Sequence, residues 1–288
     1  MITVFAPMIY TRDDLQHLGL APRQITVAVR EGNIIRLRRD RYARPGLDET
    51  VAEAARVGGR LTCVSLLQHL GVFVLQSSAL HLQVSRRSSR LGATKTGAVH
   101  LHWAREAAHD LLHVTSVRVA VAHSVRCQTP RAVIATLDSI LHHGLLTMSQ
   151  LESLLRDLPA RFQTLFRLVD ASAESGPETF VRLMLRAIGA RYETQVHIDG
   201  VGRVDFVVDG WLIIECDSRE FHDGWARQRR DRGRDLAAAR RGFVTVRPVA
   251  ADILHRPEMV QQALREIIEV MGPRFGAADR SQLRKKLT

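Results

Sequence analysis

Arg203-Val-Asp-Phe-Val-Val-Asp-Gly-Trp-Leu-Ile-Ile-Glu-Cys-Asp217 is the stretch that decides the fold of the C-terminal part of this chain. Val204, Phe206 and Val208 share one parity while Asp205 takes the other, the two-residue period of a strand with one apolar face. In the next run Leu212, Ile214 and Cys216 share a parity, and Glu215 and Asp217 take the other. Asp209-Gly210 between the runs marks a hairpin turn. Paired residues of an antiparallel ladder point to the same side, so both apolar sets share a face only if paired numbers sum to an even value. A two-residue Asp209-Gly210 loop would pair 208 with 211 and throw Asp205 and Glu215 onto opposite faces. The alternation therefore predicts a three-residue connection, a type I turn plus bulge with Gly210 at positive φ. Asp205, Glu215 and Asp217 then converge opposite an apolar face.

Like charges at such spacing resist joint ionisation. A divalent cation with oxygen ligands, Mg²⁺ or Mn²⁺, resolves the conflict, with Asp205, Glu215 and Asp217 as metal ligands. The competing reading is a solvated hairpin face whose acids pair with nearby arginines, an everyday pattern for antiparallel strands. From residue 176 onward the patterning predicts helix, three strands, helix, strand and helix.

An acid on one strand and Glu-x-Asp on the next resembles the PD-(D/E)XK nuclease fold. More narrowly, the region resembles the family related to very-short-patch-repair endonucleases that is catalogued as domain of unknown function 559. The residues carrying the likeness run in order: Ser175-Gly-Pro-Glu178, Arg203-Val-Asp-Phe206, Ile213-Ile-Glu-Cys-Asp217, Phe221-His222, Arg230-Asp231-Arg232 and Gly242-Phe-Val-Thr-Val-Arg247. The resemblance implies a restriction-endonuclease-like αβββαβ core that cleaves phosphodiester bonds with a bound metal. Its catalytic set on this chain is Glu178, Asp205, Glu215, Asp217 and His222, with Glu178 assisting from the helix and His222 as general base or holder of the water. Arg230, Arg232 and Arg234, on a helix over 224–241, would grip flanking phosphates. The broader family carries Lys two residues after the Glu where this chain has Asp217, which passes the cationic role to Arg234 or Arg219 or leaves it unfilled. The narrower family has Gly after that Asp, and this chain has Ser218. Glu178 has a second reading too, since it stands three after Ser175 and fits a capping box.

Residues 11–44 read as a winged helix-turn-helix. Thr11-Arg12-Asp13-Asp14 fits a capping box, Leu15 and Leu18 give an apolar face, and Gly19 ends the first helix. The second helix starts at Pro22, buries Ile25, Ala28 and Val29, and stops at Gly32. Ile35 and Leu37 alternate with Arg36 and Arg38, Arg39-Asp40 turns the chain, and Arg41-Tyr42-Ala43 returns. Arg23, Gln24, Thr26 and Arg30 on the second helix, with Arg36, Arg38 and Arg39 on the hairpin, are the candidate nucleic-acid contacts. Winged helices also mediate protein contacts, and that alternative stands beside DNA binding. Thr11 to Leu20, Pro22 to Gly32 and Ile35 to Ala43 resemble the N-terminal region of the abortive-infection type IV antitoxin family. That likeness implies DNA binding, repression of the chain's own operon, and a cognate toxin as partner.

Between these parts, helices are expected around Glu49 to Val57, Cys63 to His69, Pro130 to Leu141 and Ser149 to Leu155, with strands around Leu80 to Val84 and Val99 to Trp103. The small polar run Asp170-Ala-Ser-Ala-Glu-Ser-Gly-Pro177 marks a boundary. The expected organisation is therefore α+β or α/β and multidomain: a winged helix over 1–45, a mixed helical connector over 46–170, the endonuclease-like domain over 171–272 and a basic tail over 273–288.

The 288 residues carry 41 Lys plus Arg against 30 Asp plus Glu, a net charge of +11, which points to a polyanionic partner, nucleic acid before an acidic membrane. All but Lys95, Lys285 and Lys286 of the basic residues are arginines, whose guanidinium fork binds two phosphate oxygens at once. Cys63, Cys127 and Cys216 form no Cys-x-x-Cys motif and are too few for a disulfide framework, which fits a reducing, cytoplasmic setting. The first ten residues lack the basic start of a secretory signal. Leu61 to Ser85 has no charged residue, yet Gln68, His69, Gln76, Ser77, Ser78, His81 and Gln83 interrupt it, which favours a buried helix and strand over a membrane span. His109 and His113 follow Glu106 without the adjacent Glu that a metalloprotease helix needs, and His100, His102, His142 and His143 read as structural. The functional expectation is a DNA-binding protein with a metal-dependent endonuclease-like domain, in defence or repair. The alternatives are an antitoxin-like regulator whose nuclease fold is inactive, and an RNA nuclease. DNA, a toxin and a second copy of the chain are the candidate partners, and a membrane is not.

Overall fold

The structure, a computed structural model, describes residues 8–88, 90–95, 97–104, 111–216 and 225–275. The described residues mix helices with three small sheets, and the contacts divide into two units, Met1–Thr129 with Ser149–Gln163, and Pro130–Met148 with Thr164–Thr288. Among the described residues no helix is long and apolar enough to cross a membrane.

The first unit opens with β1 (Ile9–Tyr10), α1 (Arg12–His17), α2 (Pro22–Arg30), β2 (Ile35–Arg38) and β3 (Arg41–Ala43), the strands forming a sheet in the order β1-β3-β2. The Thr11 hydroxyl accepts the Asp14 backbone N–H while the Asp14 carboxylate accepts that of Thr11, so the box that the sequence spells is closed with Asp in place of Glu. Leu15, Ile25 and Tyr42 are buried together, with Tyr10, Leu20, Val29 and Ile34 packed around them.

The chain continues through α3 (Glu49–Val57), β4 (Arg60–Leu61), α4 (Cys63–His69), β5 (Ala79–Ser85), β6 (Ala98–Ala104) and α5 (Val117–Cys127). β5 lies between β4, antiparallel to it, and β6, parallel to it in a register running from Ala79 opposite Ala98 to Ser85 opposite Ala104. Leu61, Leu66, Leu67, Leu82 and Val121 are fully buried between this sheet and α4 and α5. Arg38 reaches from β2 to donate to the Val57 carbonyl at 3.2 Å and to the Arg90 carbonyl at 3.3 Å, covering the C-terminal end of α3. It lies in the space a Cβ on Gly58 would fill, and the φ of +102° at Gly58 is a left-handed conformation that favours glycine.

Helix α6 (Pro130–His142) belongs to the second unit, whereas α7 (Met148–Arg156) and α8 (Ala160–Gln163) return to the first, where Arg118 pairs with Asp157 at 2.6 Å. The helices and strands expected between residues 49 and 155 are all present, each to within a residue at its ends.

The second unit runs from α6 through a 3₁₀ turn (Thr164–Leu168) to α9 (Gly176–Ile188), β7 (Tyr192–Ile198), β8 (Gly202–Val208), β9 (Leu212–Ile214), α10 (Trp225–Arg240), β10 (Val244–Val246), α11 (Ala250–His255) and α12 (Pro257–Met271). Its sheet has the order β10-β9-β8-β7; β7, β8 and β9 are antiparallel neighbours, and β10 joins β9 in parallel after the α10 crossover. Val204, Phe206, Val208, Leu212 and Ile214 are buried, as are Phe180, Val181, Met184 and Leu185 of α9. Between α6 and α9 the Asp138 carboxylate accepts from Arg182 at 2.7 Å, the Thr179 hydroxyl at 2.8 Å and the Asp170 backbone N–H at 2.8 Å. Burial pushes the Asp138 carboxyl up while these donors pull it back, the balance expected of a desolvated charge that keeps its partners.

Candidate functional site

The hairpin of the second unit pairs Phe206 with Ile214, Val207 with Ile213 and Val208 with Leu212. Residues 209–211 form the connection, three residues long as the alternation requires, and one step further along this register Asp205 faces Glu215. The turn itself differs from the type I expectation. Asp209 has φ +49° and Gly210 φ +79°, and the Trp211 N–H donates to the Val208 carbonyl at 3.1 Å. Two left-handed central residues match the twist of the flanking strands better than a type I turn does. Trp211, fully buried, stacks on Phe275 with ring centroids 4.6 Å apart.

Asp205 accepts the Cys216 backbone N–H at 2.8 Å. The Glu215 carboxylate takes two guanidinium groups, Arg234 at 3.0 Å and Arg247 at 3.4 Å. Arg247 also binds Asp235 at 2.7 Å. Arg234 further donates to the carbonyls of Val201 at 3.0 Å and Arg203 at 2.7 Å, so α10 turns this arginine back onto the sheet. Arg230 and Arg232 on the same helix are exposed.

Glu178 sits in the first turn of α9, only 7% exposed. Its carboxylate accepts from the Ser175 hydroxyl at 2.7 Å, the Glu174 N–H at 3.0 Å and the Gln195 side-chain amide at 2.8 Å, while its own N–H donates to the Ser175 hydroxyl at 3.4 Å, so Ser175 caps the helix from one side. Gln195 lies opposite Asp205 in the β7–β8 register, at a φ of +52° that breaks the ladder. Its Oε1 is buried without a hydrogen-bond partner. Sequence reasoning missed Gln195, because a polar residue in a strand carries no sign of a left-handed φ.

Burial pushes the Glu178, Asp205 and Glu215 carboxyls above their ordinary range, and the charge of Asp205 raises Glu178 and Glu215 further. The Cys216 N–H and Arg203 pull Asp205 back, and Arg234 and Arg247 do the same for Glu215. Asp217 and His222, expected in this site, lie outside the described residues, as does His109.

In the first unit Arg23, Arg30, Arg36 and Arg39 are exposed. Arg38 is occupied at the end of α3, the Gln24 side chain accepts the Ala21 N–H at 2.7 Å, and the Thr26 hydroxyl donates to the Pro22 carbonyl at 3.2 Å. Arg38, Arg39, Arg41, Arg60, Arg87 and Arg90 line a cleft of about 480 Å³.

A second cluster was not foreseen. His100 and His102, whose sequence context reads as structural, share a face of the β5–β6 pair with His81. His81 Nδ1 and His102 Nε2 are 3.2 Å apart, and the Cys127 Sγ lies 3.9 Å from His102 Nε2 and 3.8 Å from His100 Nε2. Ligand atoms of Cys63, His81, His102 and Cys127 all fall within 4.8 Å of one another, a group able to hold a metal ion. Among the described residues this is the one such group of three or more; Glu178, Asp205 and Glu215 do not gather so closely. Cys63 is fully buried at φ +54°, a backbone region that costs a non-glycine residue about 1–3 kcal/mol, while Cys127 is exposed. Hydrogen bonding from Cys63, and then from His102 and His81, drives the Cys127 thiol well down, and that of Cys63 is driven up. His123 stacks on His102 at 4.3 Å, bonds Thr62 Oγ1 at 3.0 Å, and is pushed down to about 4 by burial and by the neighbouring charge of His102. Local signals existed in His100-Leu-His102 and in His123 and Cys127 four apart on a helix, but nothing in the spacing joined them to Cys63 and His81.

No family profile matches this chain, and no curated protein is significantly similar to it.

Proposed function

We propose that the chain acts on DNA, with a winged helix in the first unit that docks on the duplex and a metal-dependent endonuclease of the PD-(D/E)XK kind in the second. The observation that carries this reading is the even register of β8 and β9, which sets Asp205 across from Glu215 on a sheet whose next strand, β10, runs parallel after a helical crossover. The order α9-β7-β8-β9-α10-β10, with Glu178 tied through Gln195 to the strand beside Asp205, supports it further.

The donors around Asp205 suit a hard cation. They are carboxylate oxygens whose burial raises their proton affinity, with the buried Gln195 Oε1 still lacking a partner. Asp205 and Glu215, with Asp217, would hold Mg²⁺ or Mn²⁺. Such an ion polarises a phosphodiester and lowers the pKa of an attacking water. The chain's own residues do the rest. Gln195 fixes Glu178 in place, Arg234 sets a positive charge beside Glu215, and Arg230 and Arg232 hold flanking phosphates. The exposed Arg23, Arg30, Arg36 and Arg39 supply the electrostatic grip of the first unit.

Incubating supercoiled plasmid with the protein at low salt, with Mg²⁺, Mn²⁺ or EDTA, tests this. Metal-dependent nicking that Asp205→Ala/Glu215→Ala loses is the expected result; equal nicking by that variant would refute the assignment.

One observation favours a second reading. Glu215 already has two guanidinium partners, which satisfy its charge in place of a cation. An antitoxin-like regulator with an inactive nuclease fold would then bind its operator, and pair with a toxin, without any divalent ion. Operator binding that survives chelation and weakens on Arg23→Ala or Arg30→Ala would mark this version; binding unaffected by loss of residues 1–45 would sink it.

A further inference from the structure

The soft donors of the first unit serve neither reading of the second. Cys63 opens α4, His81 lies on β5, His102 on β6, and Cys127 closes α5. These are four separate elements, and each gives the cluster a single donor atom. Tetrahedral zinc has bonds of about 2.3 Å to sulfur and about 2.0 Å to imidazole nitrogen, so its ligand atoms stand about 3.3–3.8 Å from one another. The 3.2 Å between His81 Nδ1 and His102 Nε2 and the 3.9 Å between Cys127 Sγ and His102 Nε2 lie close to those edges. All four donor atoms fit inside 4.8 Å.

The donor chemistry narrows the ion. Two thiols and two imidazoles with no carboxylate make a soft set that suits zinc and excludes Mg²⁺ or Ca²⁺, which take oxygen. The charge also balances. Each thiol releases its proton to solvent on binding and the imidazoles bind neutral, so two thiolates cancel the two charges of the ion, and the half-buried site carries no net charge. The rings are already held in place, since His102 stacks on His123 at 4.3 Å and His81 stacks on His100 at 4.7 Å. Hydrogen bonds join Thr62, the residue before Cys63, to His123 and to Thr115, which fixes the turn that presents the buried thiol.

We propose that Cys63, His81, His102 and Cys127 bind one zinc ion in a closed tetrahedral site that fastens α4, β5, β6 and α5 together. The site is structural, because all four positions are filled by protein and none is left for a reacting water. It belongs wholly to the first unit and does not depend on the carboxylates of the second.

Full-length protein purified under reducing conditions without chelator, then analysed for metal by mass spectrometry, gives the test. The expected content is about one zinc per chain, as a four-ligand structural site holds. Asp205→Ala/Glu215→Ala should keep the zinc, and Cys127→Ser/His102→Ala should lose it. Because the latter variant also removes side chains that pack the first unit, two measurements use the wild type alone. Cobalt exchanged into the site should show thiolate charge-transfer bands and the intense visible absorption of a tetrahedral ion. Zinc should also shield Cys63 and Cys127 from alkylation until a chelator is added. A folded wild type that holds no metal after incubation with zinc and removal of the excess would overturn the proposal. So would zinc retained by Cys127→Ser/His102→Ala, or a mass two hydrogens lighter that marks a Cys63–Cys127 disulfide.

Discussion

The carboxylate hairpin and the cysteine-histidine cluster both crowd polar groups against a sheet, but they balance them differently. Around the hairpin, arginines meet the acids: Arg234 and Arg247 bind Glu215, and Arg203 forks onto Glu174 at 2.8 and 2.6 Å. Around the cluster, no carboxylate or guanidinium of the described residues hydrogen-bonds to the four donors, which contact one another and His100. A cation at the hairpin must compete with charges already in place, whereas one at the cluster displaces only the hydrogen bonds that the donors make among themselves. Crowded ligands therefore call for a metal in proportion to what is left uncompensated.

Stability should separate the two sites first. At free zinc a thousandfold above its Kd, binding should stabilise the protein by about 4 kcal/mol, read as a fall in the urea midpoint on chelation. An unchanged midpoint would put the cluster on the same footing as the hairpin. Magnesium should do less at the same free concentration, because Arg234 and Arg247 must yield Glu215, which weakens its Kd. At tenfold above its Kd the gain should be about 1.4 kcal/mol, absent in Asp205→Ala/Glu215→Ala. A gain as large as that of zinc would reverse the ranking.

Acidity sharpens the contrast. The raised carboxyls of Glu178, Asp205 and Glu215 mean that the folded chain holds protons the unfolded chain has released, so their contribution to stability is present below the ordinary carboxylate range and is lost as pH rises through the raised values. Magnesium should cancel that loss near neutrality and have no effect in acid; urea midpoints across pH check it. Zinc should show the reverse, leaving the cluster as its thiols and imidazoles take up protons.

Smaller effects belong to single residues. Ser175→Ala removes the N-cap of α9 and a donor to Glu178, and should cost about 1 kcal/mol. Arg30→Ala should lower the salt dependence of DNA binding by about one phosphate contact and leave stability unchanged. Arg38→Ala should do the opposite, because its guanidinium is already bound to the Val57 and Arg90 carbonyls.

The two sites were unequally legible for a physical reason. The hairpin could be read because period-two alternation and one buried face fix its register, so the parity of Asp205 and Glu215 places them together without any distance being known. Caps were legible for a similar reason, being local: Thr11 with Asp14, and Ser175 with Glu178. Gln195 was hidden by its left-handed φ, whereas Arg234 was one of the two arginines the sequence offered for the cationic role, although a helix with no clear apolar stripe could not say which of its arginines faces the sheet. The cysteine-histidine cluster was hidden most deeply. Its ligands come from four elements and meet only through the parallel pairing of β5 with β6 and the packing of α4 on α5, and no local pattern encodes either.

The most direct test compares plasmid nicking by three proteins as Mg²⁺ is added: the zinc-loaded wild type, zinc-loaded Asp205→Ala/Glu215→Ala, and Cys127→Ser/His102→Ala, which holds no zinc. The account predicts that magnesium switches on nicking in the wild type and in any folded cluster variant, and fails to do so in the carboxylate variant. Nicking that persists without Asp205 and Glu215, or that follows the cysteine-histidine cluster instead, would contradict it.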